Sequence, residues 1–225
     1  MSEAVSTPSR HILISGGEGD LACALRKAFL DETTLVHAPG HKELDVRNEE
    51  QVTAYFSRLS QLDVLIANAG LTRDNTVTRL TSDDFSDVVD TNLRGAFLCA
   101  RAALKMMLPQ RSGHIILIGS RAARYGTHGQ SIYAAAKAGL IGLAQSIARE
   151  YGPRNIRCNV VLPGFLETRM TASLSPQRRE EVRQEHALGQ FNTVENAARF
   201  IAFLTELNHV SGQVFTLDSR IDSWT

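Results

Sequence analysis

An apolar strand that runs straight into a glycine-rich turn and then a helix constrains this chain more than any other stretch. His11–Ile14 reads as the strand, Ser15-Gly16-Gly17-Glu18-Gly19-Asp20 as the turn, and Leu21–Leu30 as a helix by composition and period. Gly16, Gly19 and Ala22 match Gly-x-x-Gly-x-x-Ala. In that pattern the first glycine permits the tight turn, the second lets a pyrophosphate approach the backbone, and the small third residue lets helix pack on strand. Asp20 is placed to cap the helix. A plain glycine-rich β–α turn fits the same residues. Glu18 and Asp20 set acidic side chains beside an anion site, which is unfavourable unless they point away.

Alternation of strand and helix continues to the C-terminus. Thr33–His37 is a second strand, and Glu43-Leu-Asp-Val46 follows too soon for a helix between them. Further strands are expected at Leu62–Ala67, His114–Gly119, Arg157–Leu162 and Gly212–Leu217. Helices are expected at Gln51–Leu59, Thr81–Leu108 (with Pro109 beyond its end), Gln130–Tyr151 and Thr193–Leu204, with a polar amphipathic segment at Thr171–His186. The predicted fold is α/β: a single-domain, Rossmann-type, doubly wound parallel sheet with helices on both faces, spanning residues 1–225 with 1–9 as a flexible N-terminus.

Charge narrows the function. Lys+Arg and Asp+Glu both number 24, so no basic stripe argues for nucleic acid and no basic amphipathic face for a membrane surface. The polar Met1–Arg10 is no secretory signal, and no apolar run approaches the ~20 residues that span a bilayer. Cys23, Cys99 and Cys158 are widely spaced inside predicted elements. They read as small buried apolar residues of a chain in a reducing cytoplasm.

The chemistry gathers between Ser120 and Lys137. Tyr133 and Lys137 are four apart in an alanine-rich helix, hence on one face. A phenol beside an ammonium is a device for lowering a tyrosine pKa. Ser120 follows the buried strand, at the sheet end where ligands bind in open α/β folds. A Tyr-x-x-x-Lys pair by itself is also the pattern of an ordinary surface pair. Asn92 is a polar residue among Val88, Val89, Leu93 and Phe97 in a predicted helix, either a satisfied core amide or a functional one.

Taken together, Ser15–Ala22, Asp45-Val46, Ala67-Asn68-Ala69-Gly70, Asn92, Ser120, Tyr133-Ala-Ala-Ala-Lys137 and Pro163-Gly164 resemble the short-chain dehydrogenase/reductase family over nearly the whole chain. Gly70–Asn75, Asp90–Gly95, Tyr133–Gly139 and Pro163–Thr168 look most like its 3-oxoacyl-acyl-carrier-protein reductases. The chain departs from the pattern in three places. Asp20 and Ala22 stand where glycines are usual, the helix after strand two is missing, and Asp218-Ser219-Arg220 replaces Asp-Gly-Gly.

The resemblance implies NAD(P)H-dependent reduction of a β-keto group, on a 3-oxoacyl thioester of acyl carrier protein, in fatty-acid, polyketide or polyene synthesis. Tyr133 would be the general acid, Lys137 would lower its pKa and hold the nicotinamide ribose, Ser120 would donate to the oxyanion, and Asn92 would hold a water linking Lys137 to solvent. The cofactor would meet Ser15, Gly16, Gly19, Asp20, Leu21, His37, Asp45, Val46, Asn68, Ala69, Gly70, Pro163, Gly164, Leu166 and Thr168, besides Tyr133 and Lys137. Arg111 and Arg154 match carrier-binding basic residues, and also fit solvated surface arginines. No metal is implied.

With no carboxylate in His37-Ala-Pro-Gly-His-Lys42, NADPH is expected over NADH, provided Glu18 points to solvent. A homotetramer or homodimer is expected, from the apolar Phe97, Leu98 and Leu104 and the apolar Leu140, Ile141, Leu143 and Ile147. A dehydrogenase of a small alcohol, sugar or sterol ketone, and a nucleotide-binding sensor without turnover, remain open alternatives.

Overall fold

Buried residues stand on both faces of the four central strands, so those strands must be covered by helices from two sides. In β1 (Arg10–Ile14), Ile12 and Ile14 face one layer while Leu13 faces the other. The computed structural model describes residues 10–31 and 33–221; the expected flexible N-terminus lies outside the described residues. β1 is followed by α1 (Asp20–Ala28), β2 (Thr34–His37), α2 (Glu49–Phe56) and β3 (Val64–Ala67). Next come α3 (Ser82–Val89), α4 (Gly95–Gln110), β4 (Gly113–Ile118), α5 (Ala122–Tyr125) and α6 (Ser131–Tyr151). The chain closes with β5 (Ile156–Leu162), α7 (Pro176–Gln184), α8 (Val194–Glu206) and β6 (Val214–Thr216).

All strand pairs are parallel, in the order β2-β1-β3-β4-β5-β6. The order reverses between β1 and β3, which is where an open α/β sheet forms its ligand crevice. One core layer packs α2, α4 and α6 on Leu13, Leu65, Ile115, Leu117, Cys158 and Val160. The other packs α1 and α8 on Ile12, Ile14, Ile66, Ile116, Ile118 and Val161. This is the doubly wound α/β sheet expected from the sequence.

Residues 38–48 form no helix, as expected, and this segment adds no strand beyond β2. Leu44 and Val46 instead drop into the α2/α4 core layer. Gly95 at the start of α4 has no side chain, and a Cβ there would lie 2.6 Å from Val46 Cγ2.

Three expectations are corrected. The long helix expected over Thr81–Leu108 is two α-helices joined by a π-helical turn, Asp90–Arg94. Pro109 lies inside the last turn of α4 rather than beyond it, and Arg111 ends the helix at φ 49°. Cys23 is exposed, whereas Cys99 and Cys158 are buried. α1 buries Leu21, Ala22, Ala24 and Leu25, a stripe that leaves position 23 facing water. Burial pushes the Cys99 thiol up to about 12 and the Cys158 thiol higher still, so both are inert.

Candidate active site

Ser120 lies just past the C-terminal end of β4, and Tyr133 and Lys137 face it from the first turns of α6. Burial raises the Tyr133 pKa above its ordinary value and outweighs the neighbouring Ser120 hydroxyl, which favours the ionised phenol. The expected lowering of the tyrosine is therefore corrected: in this state the phenol is held protonated. Lys137 is 3% exposed, and its Nζ donates to the Ile118 carbonyl at 2.8 Å. Burial pushes its pKa down to about 8.

Asn92 joins them from the π-helical turn. Such wide turns recur at functional sites because they re-aim one side chain without breaking the helix. Its Nδ2 donates to the Leu71 carbonyl at 2.8 Å and to the Val88 carbonyl at 2.9 Å. Its buried Oδ1 has no partner. A Cβ added at Gly70 would fall 2.8 Å from that Oδ1 and 3.5 Å from Lys137 Nζ, so both groups flank one small gap that only glycine leaves open. Two donors bound and one acceptor orphaned is more than the satisfied core amide requires.

The cofactor-side motifs also converge. Ser15 Oγ accepts from the backbone N–H groups of Asn68 and Ala69, both at 3.1 Å. Asn68 Nδ2 in turn donates to the Ser15 and Gly16 carbonyls. The glycine turn and the Asn68-Ala69-Gly70 loop are thus tied at the β1/β3 crevice. Gly19 is the N-cap of α1 and offers no side chain to satisfy the helix's free N–H groups, which leaves them for an anion. The Leu21 side chain packs in the core, which leaves its backbone N–H, in the first turn of α1, as the part that can face the crevice.

On the far side, Asn192 Nδ2 donates to the Pro163 and Leu217 carbonyls and pins the Pro163-Gly164 turn. Leu166 is buried, and Thr168 is half-buried with its N–H bonded to Thr171 Oγ1 at 2.9 Å. The orphaned Asn92 Oδ1, the gap at Gly70 and the uncapped α1 together fit a nicotinamide dinucleotide laid across the crevice.

The segment after β2 differs from expectation in its charges. Gly17 donates to the Pro39 carbonyl at 2.8 Å, and a Cβ there would overlap the Ala38 carbonyl. The loop therefore lies directly on the glycine turn. A Cβ at Gly40 would lie 2.6 Å from the Glu18 carboxyl carbon, so that exposed side chain leans over the loop. His37 is half-buried, and burial and then His11 lower its pKa, so it brings no positive charge. His41 faces Asp45 at 3.9 Å, and Asp45 is gripped by Arg47 at 2.9 Å, which lowers its pKa. Among the described residues Lys42 is exposed and makes no ion pair.

Arg111 and Arg154 come together away from this crevice. The Arg111 carbonyl accepts from Asn155 Nδ2, and its guanidinium reaches the Pro153 carbonyl at 3.5 Å. Both arginines precede their strands, so the length of β4, about 20 Å, separates Arg111 from Ser120. In the altered C-terminal motif, the Asp218 carboxylate is fully buried between Arg220 and His186, with His186 Nδ1 at 3.3 Å.

Sequence reasoning missed Arg169. It follows Thr168 and binds Asp20 across the glycine turn. An acidic residue at a helix N-terminus beside an anion site was the available signal that a cation must sit nearby.

Comparison with known proteins accords with this geometry. A family model described as enoyl-(acyl carrier protein) reductase matches residues 24–219. The chain is 35% identical to the 3-oxoacyl-[acyl-carrier-protein] reductase FabG of Rickettsia conorii, over 90% of this chain and 83% of that one. It is 34% identical to the FabG of Aquifex aeolicus over 96% and 91%, and 40% identical to that of Salmonella typhimurium over 73% and 67%. Crevice, serine, tyrosine, lysine and these likenesses lead to one conclusion: the chain belongs to the short-chain dehydrogenase/reductase family.

Proposed function

We propose that this chain reduces the β-keto group of a 3-oxoacyl thioester, carried on acyl carrier protein, to the 3-hydroxy form with NAD(P)H, in fatty-acid, polyketide or polyene synthesis. The observation that carries this reading is the Ser120 hydroxyl set beside a Tyr133 phenol that burial keeps protonated. Two adjacent O–H donors grip a carbonyl oxygen, which favours a ketone over the carbon–carbon double bond of an enoyl substrate. A bound nicotinamide would supply the hydride. Tyr133 gives its proton to the substrate oxygen, and Ser120 donates to the same oxygen as charge develops. Lys137, buried behind the tyrosine ring, favours the phenolate left after transfer. Asn92 Oδ1 and Lys137 Nζ flank a path for the returning proton.

NADPH is the proposed form of the cofactor. The end of β2 carries no carboxylate, and Lys42 is the available cation. Arg111 and Arg154 are proposed as the carrier contact.

Phe97, 42% exposed on α4, and the half-buried Ile141 and Leu143 on α6 support a homotetramer or homodimer. Light scattering at micromolar concentration tests that, and a monomer mass would refute it. Among the described residues no helix is long and apolar enough to cross a membrane, and a single-domain cytoplasmic enzyme is proposed. Turnover of acetoacetyl thioesters and of a panel of simple ketones with NADPH and NADH tests the whole reading. Reduction of the thioesters supports it, and turnover of the simple ketones alone would replace it.

A further inference from the structure

The glycine turn of this chain carries an aspartate at the first position of α1, where the positive end of the helix dipole faces the crevice. A bare carboxylate there would repel a pyrophosphate arriving at the same helix end. Arg169, 149 residues away in sequence, meets it. Its backbone N–H donates to Asp20 Oδ2 at 2.8 Å and its Nε to Oδ1 at 3.2 Å. Its Nη2 donates to the Glu18 backbone carbonyl, so the arginine spans both acidic positions of the turn. Arg169 makes no other ion pair among the described residues.

Resting on the dinucleotide reading above, we propose that Arg169 is the positioning residue that compensates Asp20. It neutralises the carboxylate and so keeps the N-terminus of α1 able to accept the cofactor's pyrophosphate. A guanidinium fits this task because its charge is permanent and its forked donors hold the carboxylate and a carbonyl at once. The aspartate, for its part, anchors the loop that carries Thr168.

Arg169 is largely exposed, at 71%, Asp20 is half-buried, at 34%, and neither belongs to the core, so their replacement leaves the core untouched. Isothermal titration with NADP⁺, without substrate, on the wild type, Arg169→Ala, Asp20→Asn, Arg169→Lys and the Asp20→Asn/Arg169→Ala pair decides the matter. Arg169→Ala is expected to weaken binding about tenfold, the effect of one uncompensated charge near the surface. Arg169→Lys should stay within about threefold of wild type, Asp20→Asn should bind at least as tightly as wild type, and the double variant should recover most of the loss.

A double variant as weak as Arg169→Ala, or an Arg169→Ala protein that binds like wild type, overturns the compensation while leaving the dinucleotide reading intact. A wild type that binds neither NADP⁺ nor NAD⁺ removes both.

Discussion

The Lys137 ammonium sits 5.6 Å from the centroid of the Tyr133 ring and spends a hydrogen bond on the Ile118 carbonyl. The lysine therefore faces the tyrosine's π-cloud, while the hydroxyl beside the phenol is that of Ser120. Proton donor and charge are divided between two side chains that can be tested separately.

Tyr133→Phe removes only the donated proton. Turnover is expected to fall by about 10²–10⁴, the size of general-acid effects. A variant keeping more than half of wild-type turnover would remove Tyr133 from its role.

Lys137 predicts a pH dependence of stability. Its pKa falls from the ordinary 10.5 to about 8 on folding, so the unfolded chain binds this proton more tightly. Unfolding then takes up protons between those values, and stability rises with pH across them; below pH 8 the buried ammonium costs about 3 kcal/mol in full. Lys137→Met erases that slope, although the Ile118 carbonyl loses its donor at every pH. Urea unfolding from pH 7 to pH 10 checks this, and parallel curves for the two proteins would contradict it.

Gly70→Ala drives a methyl group to 2.8 Å from Asn92 Oδ1. Asn92 is held by two hydrogen bonds and cannot swing aside freely, so overpacking of about 1–3 kcal/mol is expected. Thermal unfolding should show the loss, and turnover should drop further because Lys137 lines the same gap. An alanine variant with wild-type melting temperature and rate would show the gap to be roomier than the geometry says.

Glu18→Gln and Lys42→Ala test the choice of nicotinamide. With Glu18 leaning over Gly40, its carboxylate opposes a 2′-phosphate that Lys42 favours. Because the condition that Glu18 point away to solvent is not met, a preference for NADPH smaller than about tenfold in kcat/KM is expected for the wild type. Glu18→Gln should enlarge it and Lys42→Ala should erode it. Equal or better use of NADH by the wild type reverses the assignment.

Periodicity alone makes the sheet legible: Ile12, Leu13 and Ile14 already require covering helices on two sides. Tyr133, Lys137 and Ser120 are legible because their spacing is local, four residues on one helix and one step past one strand. The Asp20–Arg169 pair is legible only by half: an aspartate beside an anion site calls for a cation, but nothing local marks a partner 149 residues away. The raised pKa of Tyr133 is hidden for a different reason. Spacing reveals the neighbouring charge but not the depth of burial, and burial wins. Cys23 shows the same limit on a smaller scale, since a one-residue phase on α1 decides whether a thiol meets water.

The wide turn at Asp90–Arg94 also works as a phase adjuster. Each residue of an α-helix advances the side-chain direction by about 100°. One residue accommodated in the turn thus rotates all of α4 relative to α3, and Leu98, Cys99 and Leu104 meet the sheet only at the resulting angle. A single-residue deletion between Val89 and Gly95 would restore a regular helix and, in the same stroke, turn that buried stripe toward solvent. The length of this segment is therefore under tighter restraint than its composition, and the aim of Asn92 and the seating of a sixteen-residue helix cannot be altered independently.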